Sequence, residues 1–175
     1  MPRFPQLKLP SLPRKKQLEN RQSWNADRDL TEADFYTISY EGRTIDDFVD
    51  LLVAADVASL VDIRFNPVSM YKPNFSKRNL GGRLAEVGIE YVHLQALGVP
   101  TEVRALAVGE KTRKPIWEWY DSFTLVPYLK SNLDYLFNGI EHKAAFMCVE
   151  LDPTLCHRHR LHLGLEQLGL RGFDI

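Results

Sequence analysis

From residue 35 onward the chain alternates short, β-prone apolar runs with stretches of helical period, and this alternation restricts the fold more than any other feature. Phe35–Tyr40 is rich in aromatic and β-branched residues and reads as a strand. Thr44 and Asp47 then form a capping-box-like start, and Ile45, Phe48, Val49 and Leu52 fall on one helical face. Leu60–Arg64 reads as a second strand, and Ile89–Leu94 as a third. Between these two, Pro67 and Pro73 enforce a loop, and Ser76 can cap a helix that buries Leu80 and Leu84. An irregular stretch is expected from Gly98 to about Lys114. Pro115 and Pro127 each suit the first position of a helix, the second burying Leu129, Leu133, Leu136 and Phe137. Ala144–Val149 is the most apolar run and reads as a strand buried on both faces. Asp152 and Pro153 supply a cap and first residue for a last helix with Leu161, Leu165 and Leu168 inward. Gly172–Ile175 is the final short strand.

Right-handed crossovers turn this order into one α/β domain over residues 34–175, with a mostly parallel five-stranded sheet and helices on both faces. Residues 1–33 form the other predicted region, a basic, proline-rich, disordered arm. Residues 1–23 hold six Lys/Arg against one acid, 6 − 1 = +5, whereas the other 152 residues carry 16 − 22 = −6. Pro2, Pro5, Pro10 and Pro13 block helix and sheet there. Such an arm suggests contact with RNA, DNA or an acidic partner as an alternative to solvated disorder. The near-neutral total gives no bulk argument for nucleic acid. No apolar run approaches the roughly 18 residues of a membrane span, so no membrane partner is expected. Two cysteines and an N-terminus without an apolar signal core point to the cytoplasm.

Ligands of open parallel sheets bind beyond the carboxyl ends of the strands. That rule selects Tyr40, Glu41 and Arg43 after the first strand, Asp62 and Arg64 at the second, the loop near Leu97–Gly98, and Cys148 with Glu150 at the buried strand. His157 and Arg158, one turn before Leu161, face the sheet side of the last helix. Asp62 and Arg64 share a strand face, as either a salt bridge or a ligand contact. Glu150 reads as a site carboxylate or as the ion-pair partner of Arg158 or Arg64. Cys148 reads as a small buried hydrophobe or as a thiol activated beside a helix N-terminus. Cys148, Cys156 and His157 are compatible with a shared zinc ion, but the C-x7-C spacing matches no standard structural site, and no metal ligand is assigned.

These segments resemble the family of unknown function numbered 488, DUF488. The residues that carry the resemblance are Thr37–Arg43, Leu60–Arg64 with Asn66–Pro67, Pro73–Ser76, Gly88–Leu94, Leu97–Gly98, Met147–Glu150 and Cys156–Arg158. Ser39 stands where glycine is expected, and Met70 where a basic residue is usual. The resemblance implies an α/β fold and a shared site. Tyr40, Glu41, Arg43, Asp62, Arg64 and Arg158 would bind a ligand there, and Cys148, Glu150 and His157 would carry any catalysis. It implies no reaction and no cofactor. The function expected is binding or processing of a small anionic, nucleotide-like ligand, by transfer or hydrolysis through Cys148 or Glu150 if the site is catalytic. The alternatives are a nucleic-acid-binding module that uses the basic arm, and a Cys/His metal or redox site.

Overall fold

The computed structural model describes residues 32–109, 112–139 and 143–175. Residues 1–31 of the predicted arm lie outside the described residues.

The chain runs through β1 (Phe35–Ser39), α1 (Ile45–Ala54), β2 (Ser59–Asp62), α2 (Lys77–Ala85), β3 (Glu90–His93), α3 (Thr101–Arg104), α4 (Lys114–Tyr120), α5 (Val126–Gly139), β4 (Ala144–Cys148), α6 (His157–Gln167) and β5 (Gly172–Asp174). All five strands are parallel, in the order β3-β2-β4-β1-β5. β4 is inserted between β2 and β1, with Ala144 beside Phe35 on one side and Ser59 on the other. Strands that carry ladders on both edges and helices on both faces must be apolar throughout, which AAFMC satisfies.

Strict alternation divides the core in two. Phe48, Val49, Leu52, Leu80 and Leu84 of α1 and α2 pack on Tyr36, Ile38, Leu60, Ala145 and Met147. On the opposite face, Tyr120, Leu125, Leu129, Leu161 and Leu165 cover Phe35, Val61, Phe146 and Cys148. The predicted sheet, its two-sided helical cover and the capping box at Thr44–Asp47 are all present. Among the described residues, no helix is long and apolar enough to cross a membrane.

Four local expectations need correction. Ser76 precedes α2 but does not cap it through its side chain; its hydroxyl instead accepts from Ser69 N at 3.1 Å and closes the preceding loop. Pro127 is the second residue of α5, but it does not open a separate helix. It follows a π-helical segment, Asp121–Leu125, that joins α4 to α5, and the wider turn accommodates the missing donor and the ring without ending the helix. Asp152 and Pro153 open only a 3₁₀ turn, with Thr154 N donating to Asp152 Oδ1 at 2.9 Å. The last helix begins later, with Cys156 as its cap residue and His157 as its first residue. The stretch expected to be irregular also contains α3 and a turn at Ala105–Ala107. Leu129 and Leu136 are buried as expected; the side chain of Phe137 lies outside the described residues.

α6 also buries basic residues. Burial pulls the His159 imidazole down to about 4, helped by neighbouring His162, Arg160 and Arg158 and opposed by Asp174. Between the ordinary imidazole value, about 6.5, and that depressed value, the unfolded chain binds a proton that the folded chain refuses. This contribution to stability is therefore whole above about pH 6.5 and is lost as pH falls toward 4. His159→Gln should flatten the stability profile across that window in chemical denaturation at a series of pH values; an unchanged slope would contradict the assignment.

Candidate functional site

The loops after β1 and β2 lead to helices on one face, whereas the loop after β4, which lies between them, leads to α6 on the other. Such a reversal opens a crevice at the strand ends. The expected site residues do gather at these ends, but the sheet sorts them into two clusters rather than one cleft.

The first cluster lies on the α1/α2 face. Asp62 is fully buried and holds Arg64 twice, Oδ1 accepting from Nε at 2.8 Å and Oδ2 from Nη2 at 2.5 Å. Arg64, only 2% exposed, also donates to the Phe75 carbonyl at 2.8 Å and to Tyr40 Oη at 3.3 Å, and stands 5.3 Å from the centre of the Tyr40 ring. Tyr91 Oη donates to Asp62 Oδ2 at 2.6 Å, and Tyr40 stacks on Phe75. Lys72 Nζ donates to the Tyr40 and Arg43 carbonyls and so ties the β2 loop to the β1 loop. Four of the five N–H donors of the Arg64 fork are thus taken by the protein itself.

The second cluster lies on the α6 face, where Cys148 ends β4 and Cys156 and His157 begin α6. Cys148 Sγ is 3.7 Å from His157 Nδ1 and 3.6 Å from Glu150 Oε2. His157 Nε2 donates to the Ile63 carbonyl at 2.9 Å, and the ring lies against Tyr120, whose hydroxyl donates to the Leu97 carbonyl. That carbonyl fixes the tautomer: with the proton on Nε2, Nδ1 is free to accept from a thiol. Burial alone would lower the His157 pKa, but the Cys156 sulfur, the Ile63 carbonyl and Glu150 outweigh it and raise it. Burial likewise tends to raise Glu150; its hydrogen bonds, His157 and Arg113 prevail, and the carboxyl is held below its usual range. The Cys156 thiol is pushed well up, first by burial and then by Cys148 and Glu150.

Arg113 was not legible as a site residue, yet it is the ion-pair partner of Glu150, at 3.3 Å, and also donates to the Leu155 carbonyl. The pairing of Glu150 with Arg158 or Arg64 is thereby corrected. Arg158 is fully buried and reaches the backbone carbonyls of Glu150 and Leu151, with Nε donating to Asp174 Oδ1 at 3.1 Å. It clamps the loop after β4 to β5. Glu41 Oε2 accepts from Leu151 N at 2.6 Å and braces the loop after β4, whereas Arg43 Nη2 donates to the Ile175 carbonyl at 3.1 Å, just beyond β5. Ser39 sits in register with Cys148, and its buried hydroxyl has no partner among the described residues; a water is the ordinary partner for such a group.

A cavity of about 330 Å³ opens beside this second cluster. Glu150 and His157 line it, together with Arg104, Arg113, Ile116 and Trp117. Gly98, which precedes the cavity-lining Val99, admits no side chain: a Cβ there would lie 2.5 Å from Phe65 Cα.

The fold and its strand-end crevice define an α/β protein with a polar site at the end of its central strand. The chain belongs to the family described as Domain of unknown function DUF488, whose sequence profile matches residues 44–163. The match spans both cysteines, Glu150, His157 and Arg158, but not Tyr40, Glu41 or Arg43. No curated protein and no solved structure gave a match.

Because Asp62 is wholly buried, removing Arg64 leaves a carboxylate with only the Tyr91 hydroxyl and backbone for support. Arg64→Ala should lower the unfolding free energy by about 3–5 kcal/mol in chemical denaturation. A loss below about 1 kcal/mol, the size of an exposed pair, would show that the pair is not the structural tie described.

Proposed function

We propose that this chain binds and processes a small anionic, nucleotide-like ligand in the cavity at the end of β4. The observation that carries the reading is the composition of the cavity wall. Arg104, Arg113 and His157 line it against a single carboxylate, Glu150, and Trp117 and Ile116 supply an apolar surface. Arginine forks suit phosphate or carboxylate groups, and an indole face suits a planar ring. A volume of about 330 Å³ lies at the small end of ligand pockets, which favours a mononucleotide or something smaller.

The chemistry follows from the neighbouring groups. Glu150 is ionised at neutral pH and lines the cavity, so it serves as a base or accepts a hydrogen bond from the ligand. His157 takes a proton at Nδ1 while Nε2–H stays on the Ile63 carbonyl. Cys148 is 1% exposed and lies one layer behind the cavity wall. Acid–base work by Glu150 and His157 is therefore better supported than direct attack by the thiol. Arg64, Arg158 and Arg43 act in this reading from behind, as the frame that fixes the strand-end loops.

Titration of the full chain with inorganic phosphate and a panel of nucleoside monophosphates tests the reading, with Arg104→Gln/Arg113→Gln as the variant. Each charge-assisted hydrogen bond is worth about 1.5–3 kcal/mol, so the double variant should bind at least about tenfold more weakly while remaining folded. Failure of the wild type to bind any of these anions, or equal affinity in the variant, would refute the proposal.

A further inference from the structure

We propose that Cys148, Cys156 and His157 together hold one divalent transition-metal ion of the zinc class, with Glu150 or a water completing its coordination. One ligand atom from each of the three residues lies within 4.8 Å of the others, and all three residues are buried. A tetrahedral zinc ion about 2.3 Å from sulfur and 2.0–2.1 Å from nitrogen sets its ligand atoms roughly 3.5–3.8 Å apart. The Cys148 Sγ to His157 Nδ1 distance, 3.7 Å, already matches that spacing, as does the 3.6 Å from Cys148 Sγ to Glu150 Oε2. Closing the widest separation requires a shift of at most about an ångström.

Three further features fit a metal better than ordinary packing. His157 keeps Nδ1 for an ion because Nε2–H donates to the Ile63 carbonyl, the outer partner that orients a ligating imidazole; Cys148 Sγ stands 3.7 Å from Nδ1 and 4.0 Å from Nε2, so the ring turns to direct its lone pair at an ion beside the sulfur. The donor set, two thiols and an imidazole, suits zinc or another metal that favours sulfur and nitrogen. The loop between the two cysteines is also held firmly: Asp152 accepts from Thr154, and Arg158 and Arg113 grip the Glu150, Leu151 and Leu155 carbonyls. The sequence offers these three residues as a possible zinc set, but their C-x7-C spacing matches no standard site because the ligand groups come from a strand end and a helix start separated by a turn. Glu150 and His157 line the cavity, so the fourth position faces it. A three-residue set with an open position is the arrangement of catalytic rather than structural zinc sites.

Binding replaces two thiol protons: the ion joins two thiolates and one neutral imidazole, and two protons pass to solvent. Both the ion and a proton acceptor come from the buffer, so no oxidant or reductant is involved.

The inference goes beyond the anion-binding reading: an ion on Nδ1 takes the place of the proton assigned to His157 there, while the arginine wall that holds the anion is tested separately. Full-length protein, stripped of metal and fully reduced, would be titrated with Co²⁺ alone. One equivalent should bind, with a thiolate-to-cobalt charge-transfer band and the ligand-field absorption of tetrahedral cobalt, release two protons per ion, and be displaced by Zn²⁺. Cys148→Ser and Cys156→Ser should each bind at least about 100-fold more weakly, beyond what loss of an outer partner alone costs. Arg104→Gln, which lines the cavity but touches neither the inter-cysteine loop nor Glu150, should keep the full spectrum, so loss of anion binding and loss of metal are read apart. The wild-type spectrum decides even if a serine variant fails to fold. Reduced, folded wild type that takes up no stoichiometric cobalt, or takes it up without a thiolate band, would overturn the site, as would equal affinity in Cys148→Ser/Cys156→Ser.

Discussion

The parallel ladders that β4 makes with both β1 and β2 fix everything else in this molecule. A strand paired on both edges and covered on both faces has no room for an unpaired polar group, so Ala144–Cys148 is apolar except for its terminal thiol. Polar chemistry is displaced to the residues just beyond, where the ladder ends and backbone groups need new partners. Val149 O accepts from Glu41 N, Leu151 N is taken by the Glu41 carboxylate, and the Glu150 and Leu151 carbonyls are taken by Arg158. The candidate site is thus a direct consequence of the central position of β4.

Two buried arginines hold the strand-end loops from opposite faces of the sheet, Arg158 alone reaching the loop after β4. Arg64 meets Asp62, and Arg158 meets Asp174, and each also spreads hydrogen bonds over backbone carbonyls of loops that would otherwise be loose. Buried charges are tolerated only with such complete pairing. Their effect is positional: they fix the strand-end loops, including the one that carries Glu150. Cys148, Cys156 and His157 consequently meet in a small, rigid volume beside the cavity, where short distances between two thiols, an imidazole and a carboxylate have chemical meaning.

Much of this was legible from residue order. The alternation of apolar runs and amphipathic stretches specified a parallel sheet with helices on both faces, because only crossover connections fit between such strands. The strand-end rule selects Cys148, Glu150, Asp62 and Arg64, and the helical period of the last helix adds His157. Arg113 escaped notice because it lies 37 residues from Glu150 in a stretch without periodicity, and only packing of α4 beside α6 brings them together. Pro127 misled because the π-helical turn that accommodates it has no sequence mark comparable to proline itself.

What the sequence by itself determined is the set of elements, their order and the fact that polar groups collect where strands stop, since periodicity and turn chemistry are local properties of the chain. Which polar groups share a face was decided only by the tertiary structure. Asp62 and Arg64 lie on the α1/α2 side, while Glu150, Cys156 and His157 lie on the other, with the Ile63 carbonyl reaching His157 from between Asp62 and Arg64. Sidedness depends on how each crossover closes over the sheet, and the pairing of an arginine depends on which buried carboxylate and carbonyls lie within one side-chain length. Both are long-range outcomes of packing, and no spacing along the chain encodes them.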